Sequence, residues 1–218
     1  MRLRTAMLVL TACATALAAS GCQIPGQFFA WAAAPRHPME TVPAEYELEA
    51  DRLVIVPYAG TDVLFSYPTA PLEISHGLVN EIVRNLKPRI HSIEHPVQVV
   101  RWQESNLEWP NMALADIAKA FRADTLLYVE LERYTMIEER SANLFRGRIK
   151  ARIQVVKADA ERNPVYETVV ETVFPEDRPV GVLEISERKI RAGVTMMFAR
   201  DAVRKFYGHE IEVKGGRP

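Results

Sequence analysis

Cysteine is almost absent from this chain, and the metal-ligating residues it does have are scattered. Cys13 and Cys22 are its only cysteines, too few to staple a fold or to build a cysteine-based zinc site. The histidines are His37, His76, His91, His95 and His209, and none lies in an HExxH arrangement. His91 and His95 have the spacing of one helix face, but Pro96 follows directly and Ser92-Ile93-Glu94 reads as a loop, so no metal pair is expected there. GxSxG, the P-loop and GxGxxG are all missing, which removes the common signatures of hydrolases, nucleotide hydrolysis and dinucleotide binding. An excess of one charge is also missing. The 27 basic and 28 acidic residues leave a net charge of −1, unlike the clear basic excess of nucleic-acid-binding domains. Beyond the N-terminus no apolar run approaches the roughly 20 residues that cross a bilayer. Together these absences point to a non-enzymatic protein with no cofactor, no metal and no nucleic-acid partner.

What is present begins at the N-terminus. Met1-Arg2-Leu3-Arg4 is a short basic segment, residues 5–19 are uncharged and largely apolar, and Ala19-Ser20-Gly21 brings small residues up to Cys22. Basic, apolar and small-residue segments in that order make a secretory signal. The exit resembles the bacterial lipobox, in which the cysteine thiol takes a diacylglycerol before cleavage. Small residues let the chain lie extended in the peptidase, and only cysteine supplies the thiol. Cys22 is therefore expected to be lipidated and to become the mature N-terminus. Leu10-Thr11-Ala12-Cys13 competes by letter, but it would leave an apolar segment about half the usual length. Cys22 could instead be an ordinary small residue after a conventional signal. A Cys13–Cys22 disulfide would need an uncleaved precursor. Gln23 is not the aspartate that resembles an inner-membrane retention signal, so the expected location is the periplasmic face of the outer membrane.

The expected organisation is a signal peptide over residues 1–21, a lipidated tether over 22–45, a domain over 46–208 and a tail over 209–218. Pro25, Gly26, Pro35, Pro38 and Pro43 give the tether its linker character. Phe28, Phe29 and Trp31 within it suit either the headgroup level of a membrane or a fold back onto the domain. The 48 % hydrophobic content indicates a real core.

Within the domain, Leu53-Val54-Ile55-Val56 is a continuous apolar run suited to a central strand covered on both faces. Residues 62–71 read as a loop leading into a helix whose stripe is Ile74, Leu78, Ile82 and Leu86, stopped by Pro88. Val97 to Trp102 reads as a second strand. Asn111 is placed as the N-cap of a second helix with Leu114, Ile117, Ala118 and Phe121 inward. Thr125 to Ile137 reads as a third strand. Ile149, Ala151, Ile153 and Val155 alternate with Arg148, Lys150, Arg152 and Gln154, the pattern of a half-buried antiparallel strand. Val165 to Phe174 reads as a fifth strand with two apolar faces, so its inward side stays open. A last helix runs from about Ser186 to Tyr207 with Ile190, Val194, Phe198, Ala202 and Phe206 as its stripe. The fold class is α/β: one mixed sheet of about five strands with three main helices largely on one face.

Glu130, Glu132, Glu167 and Glu171 have the residue type of paired glycosidase carboxylates, but cross-strand pairing with Arg148, Lys150 and Arg152 accounts for them better. Phe65-Ser66-Tyr67-Pro68 places large side chains in the connection after the first strand, where open α/β sheets put ligands. Trp102 and Trp109 flank a second connection. Phe65, Tyr67, Trp102 and Trp109 are thus the candidate partner-binding residues.

The Val-Ile-Val-Pro strand, the helix after it, and Leu114-Ala115-Asp116-Ile117-Ala118 running into Ala123-Asp124-Thr125-Leu126-Leu127-Tyr128-Val129 resemble a group of bacterial envelope lipoproteins. That group includes the curli-secretion lipoprotein CsgG, lipoprotein activators of penicillin-binding proteins, and the amino-terminal domain of TolB. The resemblance spans roughly Leu53 to Tyr207. It is closest to uncharacterised lipoproteins with a Phe-Ser-Tyr-Pro-like loop and a Val173-Phe174-Pro175-Glu176 ending. The group's helix ends in a Gly-Ala-Asp step, and here Arg122-Ala123-Asp124 stands without the glycine. The resemblance implies a periplasmic domain acting through protein contacts in envelope assembly or secretion, with an envelope protein or a second copy as partner. It transfers no catalytic residue. Ligand presentation to a transporter, of a small molecule or glycan, is the second function compatible with it.

Overall fold

In the computed structural model, residues 39–161 and 164–212 are described; the signal segment, Cys13, Cys22 and the tether through residue 38 lie outside them. Two compact units are distinguished. One runs from Thr41 to Glu210, and of the other only residues 39–40 and 211–212 are described. Strands β1 (Met39–Val42) and β8 (His209–Glu212) make a separate two-stranded sheet.

The centre of the larger unit is β2 (Ala50–Ala59). Its apolar run serves two cores, because successive side chains of a strand point to opposite faces. Leu53 and Ile55 enter the larger core, and Val54 and Val56 enter the smaller one. Neighbouring β4 (Thr125–Ile137) divides likewise, with Leu127, Val129 and Leu131 on one side and Leu126 on the other. Strand β2 runs parallel to β4 and to the short β3 (Ile90–Ile93). Antiparallel pairing then adds β5 (Leu144–Lys157) and β6 (Tyr166–Phe174). The order is β3-β2-β4-β5-β6, with the two-residue β7 (Val180–Gly181) also paired to β5. The sheet is mixed, as expected.

Five α-helices are present among the described residues, not three. Helices α1 (Thr61–Ser66), through Val63 alone, α2 (Ala70–Asn85) and α5 (Glu187–Val203) contribute to the larger core. Ile74, Leu78 and Ile82 of α2 and Val194, Phe198 and Ala202 of α5 enter that one core, each set at helical spacing. Gly77 allows the close approach, since a Cβ there would lie 3.2 Å from that of Ala199. Helices α3 (Pro96–Ser105) and α4 (Leu114–Ala120) cover the opposite face over β2 and β4 with Val99, Ile117 and Ala118.

Three local expectations are corrected. Residues 61–66 form a helical turn and a half where a loop was expected, a span too short to show a period. Val97 to Trp102 lies in α3, not in a strand. Its β-branched residues imitate a strand, but Pro96 occupies the first turn and His95 Nδ1 accepts the Val97 N–H at 3.3 Å. The strand role falls to Ile90–Ile93. Asn111 closes a 3-10 turn (Trp109–Asn111), and Ala113 is the N-cap of α4. The inward face of β6 is decided by burial. Val170 and Thr172 are buried, whereas Val165 and Val169 face outward.

Helix α4 ends at the step where glycine is missing. The Arg122 N–H donates to the Lys119 carbonyl and the Ala123 N–H to the Ala118 carbonyl, both at 2.9 Å. This is a Schellman closure, whose C′ residue must be left-handed. Arg122 has φ of 54°, so an L-residue with a Cβ occupies the position glycine adopts most easily.

The chain enters the larger unit beside the N-terminal end of β2. The Glu45 and Tyr46 N–H groups both donate to the Lys205 carbonyl, at 2.8 and 3.1 Å. The Glu45 carboxylate takes the Tyr166 hydroxyl at 2.7 Å and the Lys205 ammonium, and those donors hold its pKa below the usual range. The opposite end of β2 lies about 30 Å away, at the roughly 3.3 Å rise per residue of a parallel strand.

Candidate functional site

Strand β3 reaches only as far as Ile93, opposite Leu53, so the upper half of β2 has no strand on that side. Two consequences follow. Pro57 is tolerated in a strand, because its missing N–H faces an edge. The Pro57 carbonyl is satisfied instead by Gln103 of α3, whose Nε2 donates to it at 2.8 Å.

The space above this edge is a cavity of about 440 Å³, lined chiefly by Tyr58, Leu64, Leu72, Val100, Gln103 and Trp109. That volume falls in the range of small-ligand and anchor pockets. Glu104 is the single charged side chain of its lining, beside four prolines. The Tyr58 and Trp109 rings meet edge-on at 5.8 Å, and Tyr58 stacks on Tyr128 at 6.4 Å. Burial, reinforced by the Glu130 carboxylate, pushes the Tyr128 hydroxyl far above its ordinary pKa, so the phenol stacked on Tyr58 is neutral. The site lies at the C-terminal end of a parallel strand, the usual ligand position in open α/β sheets.

The four residues singled out in the sequence are not gathered on one surface. Trp109 lines the cavity. Phe65 follows Leu64 on α1 and is 92 % exposed. Tyr67 turns to the larger core, where its ring meets Tyr134 at 5.1 Å and lines a separate groove with Asp62 and residues 132–138. Burial, then the Glu187 carboxylate, raises its pKa. Trp102 packs against Phe121 at 5.1 Å and lines a third depression with Arg52 and Gln98. Sequence reasoning missed Tyr58, Leu64 and Gln103, and it also missed Leu107, which is 81 % exposed just before the Trp109 turn. No sequence signal marks these, because their place depends on where β3 stops.

Of the four carboxylates singled out on the outer sheet face, Glu130, Glu132 and Glu167 are engaged in cross-strand pairs. Glu132 meets Lys150 at 2.9 Å and Arg152 at 3.2 Å, and Arg152 also approaches Glu130 and Glu167 at 3.9 and 3.8 Å. Hydrogen bonds from Lys150 and Arg152 hold Glu132 below the usual carboxylate range. Arg148 pairs instead with Glu138 at 2.6 Å. His91 lies 3.1 Å from Asp51, while His95 sits against His76. Among the described residues no three His, Cys, Asp or Glu side chains are grouped to hold a metal, and no helix is long and apolar enough to cross a membrane.

No protein-family model matches the chain, and no curated protein matches its sequence. Solved structures do show likeness. One is the PelC dodecamer from Paraburkholderia phytofirmans, at 10 % identity and a TM-score of 0.43, covering 78 % of this chain and 98 % of that one. Lipoprotein GNA1162 from Neisseria meningitidis matches at 13 % identity and a TM-score of 0.38, over 71 % and 96 % of the two chains. The hypothetical protein CT253 from Chlamydia trachomatis matches at 10 % identity and a TM-score of 0.45, over 71 % and 94 %. None of the three is a CsgG or TolB chain by name.

Proposed function

We propose that the chain is a lipid-anchored envelope lipoprotein that acts by protein contact through the C-terminal end of β2. The anchor rests on the signal segment and the lipobox-like Ala19-Ser20-Gly21-Cys22. Gln23 favours the periplasmic face of the outer membrane. The contact surface rests on one observation: Phe65 projects from α1 almost wholly exposed, next to an apolar aromatic cavity. Large exposed apolar side chains around a pocket mark interaction sites, and aromatic anchors on short connections dominate binding energy.

A photo-reactive residue placed at Phe65 tests this in intact envelopes, with the same probe at exposed Lys189 as the reference. Protein adducts at position 65 and none at 189 support the reading. Equal labelling, or no protein adduct at position 65, overturns it. The second reading, presentation of a small molecule or glycan, draws on the same cavity, where Gln103 and Glu104 offer polar groups beside two aromatic rings. Native mass spectrometry of the envelope-extracted chain would show a bound small molecule in that case.

A further inference from the structure

The two ends of the sheet differ in how they are protected. Open strand edges invite pairing with another chain, and proteins blunt them by shortness, proline, lysine or cover. At one end β3 has four residues and is flanked by Pro88 and Pro96. At the other end β6 has nine residues, Tyr-Glu-Thr-Val-Val-Glu-Thr-Val-Phe, with neither proline nor lysine. One of its two charges does not guard the edge either. Glu167 is drawn inward to β5, accepting from Gln154 Nε2 at 2.7 Å and lying 3.8 Å from Arg152.

We infer that a second copy of this chain pairs antiparallel with β6, in the register centred on Val170. The choice of occupant follows from the charges of the strand itself. Pairing all nine residues of two copies puts Val170 opposite Val170, Val169 opposite Glu171 and Glu167 opposite Val173. On the inner face it puts Thr168 opposite Thr172 and Tyr166 opposite Phe174. No carboxylate faces another. Sliding one copy by two residues, the smallest slip that keeps each face on its own side, places Glu167 opposite Glu171 in one direction. In the other direction it places Glu171 opposite Glu171. Directly opposed like charges destabilise a pair, whereas threonine pairs and aromatic pairs favour it. The sequence of β6 therefore accepts its own copy in the full-length register and rejects both neighbouring ones. The pairing also gives the outward Val169, which is 48 % exposed, a cross-strand neighbour on each copy.

The test uses the full-length chain in its native membrane. Two differently tagged copies are expressed together, one carrying Val169→Cys and the other Glu171→Cys, both at exposed positions. Cysteines directly opposite each other have Cα atoms within the roughly 4.4–6.8 Å that a disulfide spans. Mild oxidation should yield a mixed-tag dimer as the main product, with several-fold less from either variant alone. In detergent-extracted chains, Val169→Glu should reduce the dimer fraction at least several-fold at unchanged Tm, because each added carboxylate faces Glu171. Val169→Lys should keep or raise it. Equal cross-linking by single and mixed variants overturns the register. A monomeric parent chain, equal effects of Val169→Glu and Val169→Lys, or cross-links only to a different protein overturn the self-pairing.

Discussion

The carboxylate of Asp124 accepts the backbone N–H of Arg52 at 2.6 Å, tying the start of β4 to the start of β2. The same side chain takes the Thr125 hydroxyl at 2.8 Å. Burial opposes ionisation here, but these donors and the nearby Lys157 outweigh it and hold the Asp124 pKa below its ordinary 3.8. A carboxylate with a lowered folded-state pKa contributes stability above the unfolded value and loses it as pH falls through the folded one. The Asp124 side chain is 41 % exposed, so solvent screening reduces this contribution, and Asp124→Ala should cost about 1 kcal/mol at neutral pH. The ionisation-linked part of that difference should shrink as pH falls below the ordinary 3.8 and be gone once pH lies below the lowered folded-state value. Denaturant titrations at pH 7 and below pH 3 measure both.

Arg122 should be improved by glycine. A left-handed residue with a Cβ costs about 1–2 kcal/mol, partly offset by the extra freedom glycine has when unfolded. Arg122→Gly should leave stability unchanged or raise it by up to about 1 kcal/mol. Arg122→Val, β-branched at positive φ, should lower it. The two midpoints in urea decide the sign.

The core of the last helix gives a sharp contrast. Phe198 is fully buried in the larger core, so Phe198→Ala should cost about 3–5 kcal/mol. Lys189 is exposed on the first turns of α5, and its change to alanine should stay within about 0.5 kcal/mol. Thermal melts of the two variants check the docking of α5.

Alkaline titration should be late. Burial is the main cause pushing the hydroxyls of Tyr134 and Tyr166 up to about 12, with Glu73 and Glu45 beside them respectively, and Tyr128 is pushed higher still. A raised folded-state pKa means stability that is complete below the unfolded value of 10.0 and is lost as pH rises through about 12. The tyrosinate absorbance contributed by these three residues should therefore appear together with the loss of circular dichroism, not ahead of it.

Anchoring separates the two cysteines. Cys22→Ser should leave an unprocessed or misplaced chain, while Cys13→Ser should be processed normally. Mass spectrometry of the mature N-terminus reads the difference, and a diacylated Cys13 would count against the proposed site.

Much of the fold was legible where one pattern had one cause. The continuous run of β2 announced a strand buried on both faces, and the alternation of Ile149 to Val155 announced β5. The four-residue spacing from Ile74 to Ile82 announced α2. Legibility failed where a residue type served a different purpose. Val97, Val99 and Val100 looked like strand residues but lie on a helix started by Pro96. Val165 and Val169 obscured the inward face of β6, because an edge strand carries apolar residues outward as well. The candidate site was half legible. Trp109 and Phe65 stood out by type, but the cavity exists because β3 stops at Ile93, and Gln103, which caps the bare edge beyond it, looks like any polar helix residue.

The opposite placement of chain entry and cavity along β2 has a mechanical consequence. A pull applied between Glu45 and the cavity at the far end would load β2 lengthwise. Its pairing with β4 runs from Leu53–Thr125 to Ala59–Leu131, with bonds evenly spaced across the load. Those bonds would be strained together in shear, whereas a hairpin pulled at its open end yields one bond at a time. Along that line the larger unit would resist a load as a stiff strut.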